Sequence, residues 1–392
     1  MKNFFAVTVC VALFSIFTAL KAEAKWTADD ADIKLAVSLL KNEAQFKQSN
    51  FIISPISIYT AATLLANGSD GQSLKELREY ILTDSTYTPL HDITDILKNS
   101  LQVFSDKVIF NNSLWGENLH AEYEKIAGNF TAVKHLPLKT DNINKWLDIN
   151  TKGEISDLLK SDWINKGNLY FFNITMFKDK WEEEFDWRKT KSRDFYSLGK
   201  QKPVKINTMY ARRFADYYED EKMQAVRLWF ASDDFIEIFL PRRTVRFKKF
   251  MQDLQSDDLK IDYKKADVKV YIPRLEIKNK VYDLHDIFAK YHIKKVFEPQ
   301  NQDFDKLSNE PHTLKDMVHI VGLRLDETGS EELPVPYDDE DETKDQVFGE
   351  LPPKVFNADR PFIFMVNRGL LIGSYTQGES VERLMEEDGE DW

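Results

Sequence analysis

Apolar residues recur at helical spacing at Ile33, Val37, Leu40 and Ala44, which predicts a first amphipathic helix. Ser54-Pro55 predicts a sharp helix start. The serine side chain can accept from the first free N–H groups, and proline at the first turn has no N–H to leave unsatisfied. The helix continues through Ala61, Leu64 and Leu65 and is expected to stop near Gly68. Residues 74–81 and 143–150 are further predicted helices. Strands are predicted over 107–114, 169–177, 235–240, 268–277, 361–366 and 370–376. In one of these, Val268, Val270 and Ile272 alternate with polar residues, the period of a sheet with one covered face. The two kinds of element are interleaved, with no internal repeat and no Gly/Ser-rich linker, and the mixture points to an α+β fold rather than a doubly wound one.

Two stretches lack a core pattern. Residues 333–353 hold four of the thirteen prolines and a dense acidic cluster, which predicts an exposed loop. Loops of that length within a domain tend to be functional or disordered. The tail over 381–392 is acidic and polar, with fraying expected.

The first 24 residues read as a secretory leader. Lys2 gives the positive start, 4–17 the apolar core, and Ala22-Glu-Ala24 a small-residue site for cleavage between Ala24 and Lys25. The competing reading, a membrane-spanning helix, needs a longer apolar run than the one Lys21 closes. An exported chain off the membrane is therefore expected. The one cysteine, Cys10, lies inside the leader, so the mature chain is expected to use neither disulfides nor thiol chemistry. Its stability must come from a packed core, which the remaining 368 residues are long enough to build. Length alone suggests two or three domains.

The formal charge is −12, or −13 once Lys2, Lys21 and Glu23 are gone. Such a chain is a poor nucleic-acid partner, because that binding depends on neutralising phosphates with Lys and Arg. One local exception runs from Arg242 to Lys249. Two readings of it stay open, a polyanion patch and a solvated turn beside a strand. Sequons stand at Asn67, Asn111, Asn129 and Asn173, and in an exported protein some use of them is expected.

Signs of an enzyme are missing. The chain has no Gly-x-Ser-x-Gly elbow, no phosphate-cradling Gly-x-x-x-x-Gly-Lys-Ser/Thr and no Gly-x-Gly-x-x-Gly. Its seven histidines are scattered without metal-ligand spacing, so no metal, cofactor or catalytic residue is assigned.

The order of short motifs is more informative. They are Asn50-Phe-Ile-Ile-Ser-Pro-Ile-Ser57; Ile143-Asn-Lys-Trp146 with Thr151-Lys-Gly-Glu-Ile155 and Leu158-Leu159; and Asn173-Ile-Thr-Met-Phe-Lys-Asp-Lys-Trp181 with Phe185. After these come Ile272-Pro273 with Tyr282-Asp-Leu284, Val318-His319, Asp326-Glu-Thr-Gly-Ser330 and Phe356-Asn-Ala-Asp-Arg-Pro-Phe362. Each alone is weak, but together and in this order they resemble the serpin superfamily, with divergent insect members the nearest in kind. The resemblance implies one α+β domain over 25–380, with about nine helices around three β-sheets, in place of the division suggested by length. It also implies that residues 326–355 form a hinge and reactive-centre-like loop.

What the resemblance implies about sites follows residue by residue. Ser54, Ser57, Asn173 and His319 fall on the family's shutter, a polar cluster beneath the opening in the main sheet, and Trp181 falls on the breach where the hinge would enter. Buried hydroxyls, an amide and an imidazole can satisfy one another there while two strands part and close. If Asn173 is buried in this way, its sequon should stay unmodified. Glu327, Gly329, Ser330, Glu331 and Glu332 fall on the hinge. Departures from the family pattern are Asp179 where glycine is usual, Ile320 after His319, and Tyr291-His292 where Leu-Gly is common.

In inhibitory members, cleavage lets the front of the loop insert as a central strand, which uses strain stored in a metastable fold. Alternate residues must then fit the sheet's buried face. Taking Ser330 as the first inward position, the next are Glu332, Pro334, Pro336, Asp338 and Glu340. An uncompensated buried charge costs about 3–5 kcal/mol, and proline is excluded from central strands for want of a donor. Lys344-Asp345 is the one basic candidate for a scissile bond, and its acidic neighbour suits trypsin-like enzymes poorly. The expectation is a secreted, glycosylated monomer that acts by binding. Its partner would be an extracellular protein, either a serine protease or a basic partner of the acidic loop. Carrier, signalling and reproductive-fluid roles stay open. The alternative is a serine-protease inhibitor acting through loop cleavage.

Overall fold

The computed structural model describes residues 30–44, 49–80, 90–101, 107–134, 139–153, 155–156, 158, 168–299, 302–330, 352–367 and 369–378. The leader with Ala24 and Lys25, the loop residues Glu331, Glu332, Pro334, Pro336, Asp338, Glu340, Lys344 and Asp345, and the tail lie outside the described residues.

The predicted helix start at Ser54 is present. Ser54 takes an extended conformation and its hydroxyl accepts from the N–H of Ser57, which begins α2 (Pro55–Gly68) with Pro55 in the first turn. Twelve residues of α2 are buried, so it serves as a core helix rather than a surface one. Before it come α1 (Asp30–Leu39), prolonged by one π turn over Leu40–Ala44, and β1 (Phe51–Ile53). After it come α3 (Gly71–Tyr80), α4 (Leu90–Leu101), β2 (Val108–Trp115), α5 (Ala121–Ala127), β3 (Ala132–Lys134), α6 (Thr140–Thr151) and β4 (Asn168–Phe177). The next strands are β5 (Lys191–Phe195), β6 (Val204–Glu219), β7 (Met223–Trp229) and β8 (Phe235–Pro241), followed by α7 (Phe247–Asp253). The chain continues with β9 (Lys264–Pro273), β10 (Leu275–Asp283), α8 (Leu284–Lys290), β11 (Thr313–Leu325), β12 (Lys354–Asn357), β13 (Phe362–Val366) and β14 (Leu371–Tyr375).

These strands form two hydrogen-bonded ladders. The first has the order β10-β11-β4-β2-β3. Within it β11 and β4 are parallel neighbours, while β10 with β11 and β2 with β4 are antiparallel. Parallel pairing is slightly weaker per residue; β2 and the short edge strand β3 are also parallel, so within the middle of the sheet the β11–β4 seam is the parallel one.

The second ladder has nine strands in the order β1-β14-β13-β8-β7-β6-β9-β12, with β5 on β6. Two of the three expected sheets are joined here because β6 is one continuous 16-residue strand. Its earlier residues pair with β5 and β9, and its last four, Asp216 to Glu219, with β7. Eight α-helices are present among the described residues. A large apolar core that includes α2 and much of both ladders holds the whole together.

One predicted strand needs correcting. The stretch 268–277 is two strands, because the chain leaves one ladder for the other at Arg274. Pro273 has no N–H to give, and the Arg274 N–H bonds to Asn207 O at 3.0 Å.

Candidate functional site

Two polar constellations lie along the β11–β4 seam, one beneath its middle and one at its mouth. The first begins with register. Tyr282 on β10, His319 on β11, Asn173 on β4 and Asn112 on β2 stand opposite one another in a single row across the sheet. His319 is fully buried. Its Nε2 accepts the Ser54 backbone N–H at 3.2 Å. The ring proton is therefore on Nδ1, which donates to Asn173 Oδ1 at 2.5 Å. The Asn173 amide donates to Asn112 Oδ1, and the Asn112 amide to Phe130 O at 2.8 Å.

Below the row, Ser57 Oγ donates to Ser54 Oγ at 2.8 Å and shares a 2.7 Å contact with Thr175 Oγ1. Thr175 Oγ1 lies 3.3 Å from Asn173 Oδ1. Every member is uncharged, and the hydroxyl protons can be redistributed among Ser54, Ser57 and Thr175. Burial alone pulls the His319 pKa down to about 3, so the ring is neutral at physiological pH. Sequence reading named Ser54, Ser57, Asn173 and His319 but missed Asn112 and Thr175. Thr175 was open to discovery, since strand alternation puts it on the same face as Asn173.

The second constellation lies where β4 and β11 end. Trp181 is buried, its ring stacked on Phe230 at 4.5 Å and 9°. Its indole N–H donates to Asp326 O at 2.7 Å and its backbone N–H to Thr328 O at 3.0 Å. Gly329 makes an antiparallel bridge with Lys180. It has φ +133°, and a Cβ there would stand 2.2 Å from Asp179 O, so only glycine allows this approach.

Ser330, also buried, is clasped twice. Its N–H donates to Asp179 O at 2.7 Å, and its hydroxyl accepts the Asp179 N–H at 2.7 Å. The Asp179 carboxylate is itself engaged by the N–H groups of Lys180 at 2.8 Å and Ser232 at 3.0 Å. Asp179 thus shapes the loop that holds Ser330.

Glu327 is buried too. It pairs with Arg274, whose Nε reaches both carboxylate oxygens at 3.0 Å, and it accepts the Thr190 hydroxyl at 2.5 Å. Arg213 on β6 supports the same corner. It donates to Glu183 O at 2.9 Å and lies 4.2 Å over the Phe185 ring. Burial lowers its pKa to about 10, still charged at neutral pH.

The sequon asparagines differ. Asn129 is exposed, while Asn111 is half-buried on β2. Asn67 spends both amide hydrogens, on Thr63 O and Thr94 Oγ1, each at 2.9 Å. A glycan on that nitrogen would take the place of one of these bonds. Asn173 is fully buried.

Comparison with known proteins places this arrangement. A sequence model described as Serpin (serine protease inhibitor) matches residues 30–370. Serpin A12 of Mus musculus is 26% identical over 339 residues, 81% of this chain and 79% of the relative. Antitrypsin of Bombyx mori is 22% identical over 376 residues, 91% and 94% of the two chains. Among solved structures, human thyroxine-binding globulin superposes with a TM-score of 0.75 at 19% identity, covering 89% of this chain and 99% of that one.

Proposed function

The chain belongs to the serpin family, and we propose that within it this member is a secreted binding protein whose loop no longer traps proteases. The observation that carries the reading is Ser330. Its buried, clasped side chain at the mouth of the seam supports its position as the first inward-facing residue of an inserting strand. Strand alternation then turns Glu332, Pro334, Pro336, Asp338 and Glu340 toward the sheet interior. Each buried carboxylate costs about 3–5 kcal/mol, and each proline lacks a ladder donor. Those terms are comparable to a domain's whole net stability of about 5–15 kcal/mol.

Members of the family typically meet serine proteases as inhibitors rather than acting as catalysts. Thyroxine-binding globulin, solved with thyroxine, supports the view that the same fold also serves as a carrier. Export rests on the leader ending at Ala24. Glycan attachment is best supported at the exposed Asn129.

The test is incubation with a panel of serine proteases. The expected outcome is a simple cleaved band and no thermal gain after the loop is cut. An SDS-stable covalent complex, or a large rise in melting temperature on cleavage, would overturn the reading.

One observation favours a second reading. Gly329 and Ser330 already bridge the residues that follow β4, which supports a first step of insertion. A serine-protease inhibitor that inserts only as far as Leu333, or that blocks reversibly, would use this step. Reversible, competitive inhibition without a covalent complex would select it.

A further inference from the structure

The basic run starting at Arg242 takes no part in the seam. Its first residues, Arg242 to Arg246, form the turn after β8 and face the start of β7 and the strand β12, and its last three open α7. Between these elements is an open cleft of about 580 Å³, within the ~300–1,000 Å³ of small-molecule sites. Three guanidinium groups line it, those of Arg242, Arg243 and Arg360, against one carboxylate, Glu221. That balance runs opposite to the chain's formal charge of −12. Val355, half exposed, supplies an apolar wall.

The arginines are held before any ligand arrives. Arg360 gives its donors to Pro241 O at 2.7 Å, to Asn357 O at 3.4 Å and to Asp359 Oδ1 at 3.0 Å. Asp359 also pairs with Arg243. Arg242 is fixed by Asp220 O and Glu219, each at 2.9 Å. Neither Asp359 nor Glu219 lines the cleft. Each guanidinium has five donors. Arg243 commits one nitrogen to Asp359, and Arg242 leaves Nη1 without a hydrogen bond among the described residues. Fixed, partly unspent guanidinium groups beside an apolar wall match an anionic head on an apolar body.

We propose that this cleft binds a small organic anion, a carboxylate or sulfonate on a hydrophobic frame. The inference is independent of whether the loop traps proteases, and its test leaves the loop uncut.

The probe is 8-anilinonaphthalene-1-sulfonate, followed by fluorescence on the full mature chain. The expected result is one saturable site. Arg243→Gln and Arg242→Gln should each weaken it about tenfold or more, the scale of a hydrogen bond to a charged group. Arg246→Gln, on the same turn but outside the lining, should leave it unchanged. Neutral N-phenyl-1-naphthylamine should bind at least about tenfold more weakly than the sulfonate. The Arg243 side chain is 60% exposed, so that variant decides the matter even if Arg242→Gln fails to fold. Multiple non-saturating sites, affinity unmoved by Arg243→Gln, equal affinity for the neutral probe, or displacement by equimolar inorganic phosphate would each overturn the proposal.

Discussion

The row beneath the middle of the seam and the clasp at its mouth are both built from buried polar side chains, yet they hold by different means. The row of His319, Asn173, Asn112, Ser57 and Thr175 contains no charge, and its hydroxyl protons can change partners without leaving a donor stranded. The clasp is directional and partly ionic: Glu327 on Arg274, Ser330 locked by both backbone groups of Asp179, and Gly329 wedged where no side chain fits. Neutral networks of the first kind can exchange partners without leaving a buried charge unpaired. Charged, sterically unique contacts of the second kind resist release, because opening them leaves a carboxylate in poor solvent. The seam is therefore held most firmly at the clasp, where its contacts are charged and sterically unique.

The largest test of this contrast is Gly329→Ala. The new methyl group meets backbone atoms at 2.2 and 2.7 Å at a φ of +133°, so neither neighbour yields cheaply. We expect a loss of about 3 kcal/mol and new proteolytic sensitivity around Gly329, read by urea unfolding and limited digestion. Wild-type behaviour in both would show that the clasp is not rigid.

The next is pH. His319 has a folded pKa of about 3, below its ordinary 6.5, so the unfolded chain takes up a proton first as the pH falls. Stability from this group is complete above pH 6.5 and declines toward pH 3. Between pH 8 and pH 5 the decline is about 2 kcal/mol. Urea melts across that range should show it, and His319→Gln should remove it while Arg274→Met keeps it.

The smallest concerns salt. Arg274→Met should cost about 1–2 kcal/mol in dilute buffer, and less at 1 M NaCl, where charges are screened within roughly 3 Å. Ser57→Ala should cost about 1 kcal/mol at both ionic strengths. A salt-dependent Ser57→Ala would erase the distinction between the two regions.

Local chemistry was legible in the sequence wherever it is self-contained. Ser54-Pro55 announced its helix because cap and first turn lie within four residues of each other. Gly329 and Ser330 were singled out through the family resemblance, and their close approach to Asp179 and Lys180 is what the structure adds. The long β6 was not legible, because Arg213 is buried and its neighbour Phe214 exposed, which inverts the period-two signal there. The helix α4 was missed although Leu90, Ile93, Leu97 and Leu101 carry helical spacing. Asn112 joins the row only through its register with Asn173, a tertiary fact. The same holds for Asp179, visible beforehand as a departure from the family but not as the partner of Ser330, which lies 151 residues away.

The unbroken β6 has a mechanical consequence. At Arg213 it grips the segment beside the clasp through Glu183 O, and at Glu219 it grips Lys354 on β12 at 2.7 Å. Six residues of extended chain, about 20 Å, thus act as a beam with one footing at the clasp and the other on β12. A partner that leaned on either footing would load the other through the beam.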